Sequence, residues 1–491
     1  MGIVRRQSAL NLIWSYLGVG LGYVNKIILF AEILTKGQFG LLELLLTFMT
    51  IGTELALLGT PKIITRFFPH HHKHPFREGS LMFFLTVYSL VGFVLLSIVL
   101  LLFKPMVVGA YEVNSPLFAA DYLYIIPITF AYLLYRVLAG ISASMFRTVI
   151  PMMAFEVALK LVMTVLILGY YFQWFGFDTL VLLYVLAHFL PAIIVIADIK
   201  GQHLKWKANW KMFRSRQGRV MIQYGLYSTL SDATAILVQR VDMIIIGLYL
   251  GEGLVGTYAI AVYFGSLIAK PGRSINSILG PLISTRLKER KMEEVEMLYH
   301  KTALNNLLIG GILLAGMVVN IGPFFELFPK HEQAIGPAII LGGSLLLNMF
   351  TGPHRILILN SRLFRYDLWA NIVLLGMAIL LDLWLVPLYG LMGAAVATFI
   401  VTILYNFVTM LYVRHHLEMF PLSRKNIVSL LILVLITLIG LAIPGFGHPI
   451  VTMALRSLVV GGLFVGMIFW LKPSPDLTEL LMMPIRKLRK K

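Results

Sequence analysis

The amino-acid sequence predicts an all-α membrane protein of about fourteen transmembrane helices, two pseudo-symmetric six-helix lobes followed by two C-terminal helices. Three observations predict it: a composition too apolar for water, apolar runs of about twenty residues, and sequence patterns that recur at one offset. Of 491 residues, 59% are hydrophobic and 13% charged, and the mean hydropathy is +0.85. A chain in lipid must satisfy its own backbone hydrogen bonds, which leaves helix bundles and closed barrels. Near-continuous apolar runs such as Leu81 to Phe103, in place of short inward–outward alternations, select helices.

In chain order the runs place spans near 8–33, 38–60, 80–103, 120–141, 150–170, 178–198 and 221–249. They continue near 254–280, 302–324, 335–358, 367–386, 391–413, 427–444 and 451–471. The first follows Arg5 and Arg6 with no small-residue cleavage site nearby, so it reads as a span and not as a removed signal. Cations gather in alternate loops, beginning with Lys62, Arg66, Lys73 and Arg77, then Lys200, Lys205, Lys207, Lys211, Arg214, Arg216 and Arg219. Further along they are Arg286, Lys288, Arg290, Lys291 and Lys301, then Arg362 and Arg365, then Arg414, Arg424 and Lys425, and finally the tail Arg486, Lys487, Arg489, Lys490 and Lys491. The opposite loops hold Lys36, Lys104 and Lys330, with Arg456 near a span end. Positive loops remain cytoplasmic, so both termini are expected inside a bacterial inner membrane. The formal charge of +18 is thus a topology signal and an attraction to anionic membrane lipids, not a nucleic-acid footprint. With no cysteine there is no disulfide or thiolate site. No nucleotide motif or nucleophile–base pattern stands out, so neither a cofactor nor enzymatic activity is expected.

An internal repeat divides the chain. Leu34 to Gly40 after the first span and Leu250 to Gly256 after the seventh stand 216 residues apart, with two glycines in common that suit a tight turn. Phe175-Gly176 and Tyr389-Gly390 stand 214 apart. The expected division is 1–210 for the first lobe, 211–420 for the second, and 421–491 for two extra helices and a basic tail.

The first span carries a stripe of small and polar residues, Asn11, Ser15, Gly18, Gly22 and Asn25, which the seventh repeats as Ser228, Asp232, Ala235, Gln239 and Asp242. Such stripes serve either close helix packing or a polar path. Asp232 and Asp242 favour a path, because a carboxylate near mid-membrane costs about 2.5 to 3.5 kcal/mol on insertion scales; proton or sodium coupling is the weaker use expected of them. Lys26, Arg136, Lys160 and Arg240 are cations within spans, with Glu43, Glu54 and Glu156 available as partners. Glu156 and Lys160 form an i, i+4 pair that is most simply structural. Lys26 and Arg240, beside the stripes with Asn25 and Gln239, read as a cationic cavity surface or as buried ion pairs with Asp242 or Glu54. Arg136 could instead snorkel to the interface. Lys62, Arg66, Lys270, Arg273 and Arg355 stand where spans end. They attract lipid headgroups, or together form the inner mouth of an anion site. His70, His71, His72 and His74 are consecutive residues without a co-ligand, so no metal site is expected.

Val241-Asp242-Met243-Ile244-Ile245-Ile246-Gly247, Gly256-Thr257-Tyr258-Ala259 and Val386 to Thr398 resemble the polysaccharide-flippase (Wzx-type) branch of the multidrug, oligosaccharidyl-lipid and polysaccharide exporter superfamily. The resemblance implies two lobes about a cavity lined by the first, second, seventh and eighth helices. It also implies alternating access and passage of an undecaprenyl-diphosphate-linked oligosaccharide, such as a lipopolysaccharide repeat unit, to the outer leaflet. A polysaccharide polymerase and assembly proteins are the expected protein partners of a monomer. A lipid II flippase of the same superfamily and a cation-coupled drug antiporter are the competing readings. A membrane-embedded polymerase is disfavoured by the short outer loops.

Overall fold

The computed structural model describes residues 2–71, 75–200, 206–363, 365–479 and 482. His72, Lys73, His74, Lys205 and the tail cations Arg486, Lys487, Arg489, Lys490 and Lys491 therefore lie outside the described residues. Among the described residues there is no strand, and twelve helices are long and apolar enough to cross a membrane. One of them, Tyr366–Leu417, has 52 residues, twice what a bilayer needs. It is two spans, broken at Gly390, whose φ of +59° and ψ of −137° belong to glycine alone. The seventh span, Arg216–Tyr249, is 34 residues long and is less apolar than its neighbours because it carries Asp232, Gln239, Arg240 and Asp242. With these two adjustments the helices match the expected count of about fourteen.

By packing, the chain forms two compact units, Met1–Gly256 and Thr257–Lys491. In the first, the span Lys36–Leu57 is mostly buried and packs against Pro75–Leu102, Ile125–Ser144 and Arg216–Tyr249. The seventh helix therefore packs with the first six, whereas the repeat groups it with those that follow; the two divisions differ by one helix. In the second unit, Met292–Leu327 is central and packs against Ile335–Phe350, Arg424–Ala442 and Pro449–Leu471. The last two helices thus share this unit's core, through Leu308, Val319, Ile436 and Val460.

Local chemistry fixes the helix ends. Thr35 and Gln38 form a reciprocal capping box at the start of the second span, and Ser423 with Asn426 does so for the thirteenth. At the far end of the seventh span the last carbonyls are satisfied from a loop: Tyr111 donates to Ile244, Asn114 to Leu248 and Ser115 to Gly247. The repeated glycines do different work from the turns expected of them. Gly40 lies inside its helix, and a Cβ there would come within 1.6 Å of the Glu252 carbonyl oxygen. The segments Lys36 to Gly40 and Glu252 to Gly256, related by the repeat, thus pack directly on one another. The turn before Glu252 belongs instead to Gly251, with φ +93°.

Candidate anion-binding site

The polar stripe of the first span faces the fifth. Asn11 donates to Thr148, Gly18 packs against Glu156, Gly22 lies beside the Lys160 ammonium, and Asn25 donates to the Lys160 carbonyl while accepting from Thr164. Both helices carry a π-helical turn at this contact, Val24–Phe30 and Ala154–Ala158, a feature no sequence pattern announced. The stripe therefore serves helix packing. Asn25, expected to contact substrate, is buried with both ends of its amide engaged between the two helices.

Most cations within the spans of the first unit are neutralised internally. Lys26 is joined to Glu43, with side chains 16% and 3% exposed. Arg136 is joined to Glu54 and lies near the Tyr132 ring, so it does not snorkel. Lys160 pairs with Glu156 at 2.7 Å, as its spacing predicts, and also donates to the Gly18 carbonyl at 2.8 Å. Of the two readings open for Lys26, the structure gives the ion pair, with Glu43 in place of Asp242 or Glu54. Arg240 differs: its guanidinium reaches the Met243 sulfur at 3.7 Å, and among the described residues it makes no ion pair. It stands about 14 Å along the helix from the Tyr249 end, near the middle of a hydrocarbon layer about 30 Å thick. The residue before it, Gln239, is exposed, its amide donating to the Ala235 carbonyl. Asp242 is buried, and its carboxylate accepts from the Met243 amide at 2.8 Å.

A second group of cations sits beyond the end of the second span. Leu58 and Gly59 both adopt left-handed backbone, at φ +48° and +74°, and redirect the chain into the amphipathic helix Thr60–His71. Gly59 is required twice over, because a Cβ there would meet the Gly225 carbonyl oxygen of the seventh span at 2.3 Å. Ile63, Ile64 and Phe68 bury one face of this helix against Leu81, Phe84 and Leu85 of the third span. The other face exposes Lys62, Thr65 and Arg66. Lys62 pairs with Asp232 at 2.8 Å, with side chains 44% and 36% exposed, and Arg66 lies over the Tyr224 ring at 4.6 Å. Asp232 is about 26 Å along the helix from the Tyr249 end, so it stands near the edge of the layer and not at mid-membrane. In the second unit Lys270 is half-buried, Arg273 is exposed, and Arg355 forms a forked pair with Asp367 at 2.8 and 3.2 Å, a partner the sequence reading missed. Among the described residues no group of three or more His, Cys, Asp or Glu side chains converges to hold a metal ion.

A family model described as "Polysaccharide biosynthesis protein" matches residues 4–287, more than half of the chain. The chain belongs to the polysaccharide biosynthesis protein family. The match runs through the first eight spans, and so includes the Lys62–Asp232 pair and Arg240. A curated relative, "Probable flippase AglR" of Haloferax volcanii, is 23% identical over 190 residues. That alignment covers 36% of this chain and 38% of the relative, so the likeness spans well under half of AglR. Among solved structures, "Lipid II flippase MurJ" in an inward closed conformation matches with a TM-score of 0.72 at 16% identity, covering 94% of this chain and 99% of that one. An inward-facing multidrug resistance MATE family transporter of the MOP superfamily matches at 0.61 and 13% identity, covering 84% and 98%. A MOP superfamily transporter from Pyrococcus furiosus, whose title speaks of a binding pocket of reverse polarity, matches at 0.57 and 14%, covering 85% and 95%. These likenesses establish for this family member the fold shared by MurJ and the MATE transporters.

Proposed function

We propose that this chain is a flippase for an undecaprenyl-diphosphate-linked oligosaccharide, working by alternating access in a bacterial inner membrane with both termini cytoplasmic. The observation that carries the reading is Arg240: among the described residues of the first unit, it is the cation within a span that no carboxylate neutralises, while Lys26, Arg136 and Lys160 are each paired. An unpaired guanidinium at mid-membrane is costly by about 2.5 to 3.5 kcal/mol, and an anion arriving from outside the protein would offset that cost. A lipid diphosphate suits the role. It must give up hydration to cross, and the guanidinium fork matches its oxygens. The diphosphate contact is assigned to Arg240 with Gln239 beside it, and its recruitment to Lys62 and Arg66, without Lys26 or Asn25. The family assignment and the flippase names of AglR and MurJ support the reading.

The direct test is polysaccharide export in cells with Arg240→Gln at normal protein levels. The proposal expects export to fall to the level of a deletion strain, and undiminished export would refute it. A lipid II substrate would use the same diphosphate contact, so competition between lipid II and the lipid-linked oligosaccharide identifies the sugar.

A further inference from the structure

Among the described residues of the first unit, Lys62–Asp232 differs in one respect from the ion pairs of Lys26, Arg136, Lys160 and Arg147, the last of which covers its carboxylate, Asp198, to 13% exposure. Lys26–Glu43 and Arg136–Glu54 each bury their carboxylate, and Lys160–Glu156 is three-quarters covered. Lys62–Asp232 has both partners more than a third exposed. An ion pair this open contributes little, so its carboxylate can be exchanged for a better anion at small cost. Lys62 does not stand alone. Arg66 is one turn further along the same exposed face, with no ion pair among the described residues, and it is steadied on the Tyr224 ring. Asp232 and Tyr224 are two turns apart on the seventh span, the helix that carries Arg240. At Gly59 and Gly225 the backbones of the two segments approach too closely for a Cβ, which places the amphipathic helix beside the seventh span.

We infer that Lys62 and Arg66 form a binding site for a diphosphate group, and that Asp232 is a displaceable counter-ion occupying Lys62 until the diphosphate replaces it. The inference rests on the flippase reading and deepens it, because it identifies how the anion first engages the protein. It also gives Asp232 a role distinct from ion coupling. The carboxylate competes with the ligand, so removing its charge strengthens binding, whereas a coupling or purely structural carboxylate would leave binding unchanged or weaken it. Lys62 is the group competed for, so the gain must depend on Lys62.

The test is isothermal titration calorimetry on the purified full chain with farnesyl diphosphate, inorganic pyrophosphate and phosphatidylglycerol micelles as separate titrants. Asp232→Asn is expected to tighten farnesyl diphosphate binding about two- to fivefold, the range set by an exposed ion pair. Lys62→Met is expected to weaken it, and adding Asp232→Asn to Lys62→Met should give no further gain. Asp232→Ser serves where the Asn variant fails to fold. Tightening confined to farnesyl diphosphate assigns the site to a lipid headgroup, and equal tightening for pyrophosphate assigns it to a free anion; both support the exchange. If the parent binds but Asp232→Asn does not tighten, or tightens equally without Lys62, the exchange is wrong and the flippase reading stands. If the parent binds none of the titrants, both fall.

Discussion

The Lys26–Glu43 pair offers a quantitative check on the reassignment of Lys26 from substrate contact to structural tie. The two side chains are 16% and 3% exposed and join the first two spans at similar depth. Glu43→Leu leaves an ammonium in a site that offers it little water. Breaking a buried pair in this way costs about 3 to 5 kcal/mol, and the residual exposure of Lys26 argues for the lower end, about 3 kcal/mol. Replacing both partners, as Lys26→Met with Glu43→Leu, removes the desolvation penalty with the attraction and should fall within about 1 kcal/mol of the parent. The double variant should thus be about 2 kcal/mol more stable than Glu43→Leu alone, measurable by thermal unfolding in detergent followed by gel filtration, with polysaccharide export measured on the same variants. Recovery of both stability and export in the double variant is expected. A double variant that folds at parental stability yet exports nothing would show that Lys26 touches substrate and would refute the reassignment.

Gly40→Ala should be strongly destabilising, by roughly 3 kcal/mol or more, because its Cβ would overlap the Glu252 backbone. Gly109→Ala, where a Cβ meets nothing within 4 Å, should be neutral or mildly stabilising in the same unfolding assay. The chain has no cysteine, so single cysteines report topology cleanly. Met106→Cys should react with a membrane-impermeant maleimide in intact cells and Arg290→Cys only after lysis, and the opposite pattern would invert the assigned orientation. In the turn just outside the fourth span, which begins at Tyr122, burial and then the Asp178 carboxylate raise Asp121 above the ordinary carboxylate range. A raised folded value stabilises the fold at acid pH, and that contribution is lost as the pH rises through it. Asp121→Asn should therefore raise the melting temperature at neutral pH, with the advantage shrinking on acidification; a pH-independent difference would contradict this.

The helices were legible because their signal is additive over about twenty apolar residues, and lipid leaves the backbone few alternatives. The orientation signal in the loops and the repeat glycines were equally visible, although Gly40 proved to allow a helix crossing where a turn was expected. The site was less legible, because spacing along one helix does not say which neighbour a stripe faces. Asn11, Gly18, Gly22 and Asn25 do share a face, but it meets the fifth span. Glu43 and Glu54 were recognisable as partners in waiting, yet which cation each would take depends on helix packing. Asp367 escaped notice because its partner Arg355 lies beyond a helix break. The π-helical turns had no signal, since nothing in the spacing of Val24–Phe30 or Ala154–Ala158 distinguishes a π turn from an α turn. What the sequence did mark was Arg240, a cation set among apolar residues of a helix otherwise rich in small and polar ones.

The central claim is that Arg240 receives the diphosphate of a lipid-linked glycan during passage across the membrane. Its most direct measurement is translocation of a fluorescent undecaprenyl-diphosphate oligosaccharide in proteoliposomes, comparing the parent with Arg240→Gln at equal incorporation. The account predicts movement by the parent and none above protein-free vesicles by the variant. Equal rates for the two proteins would contradict it.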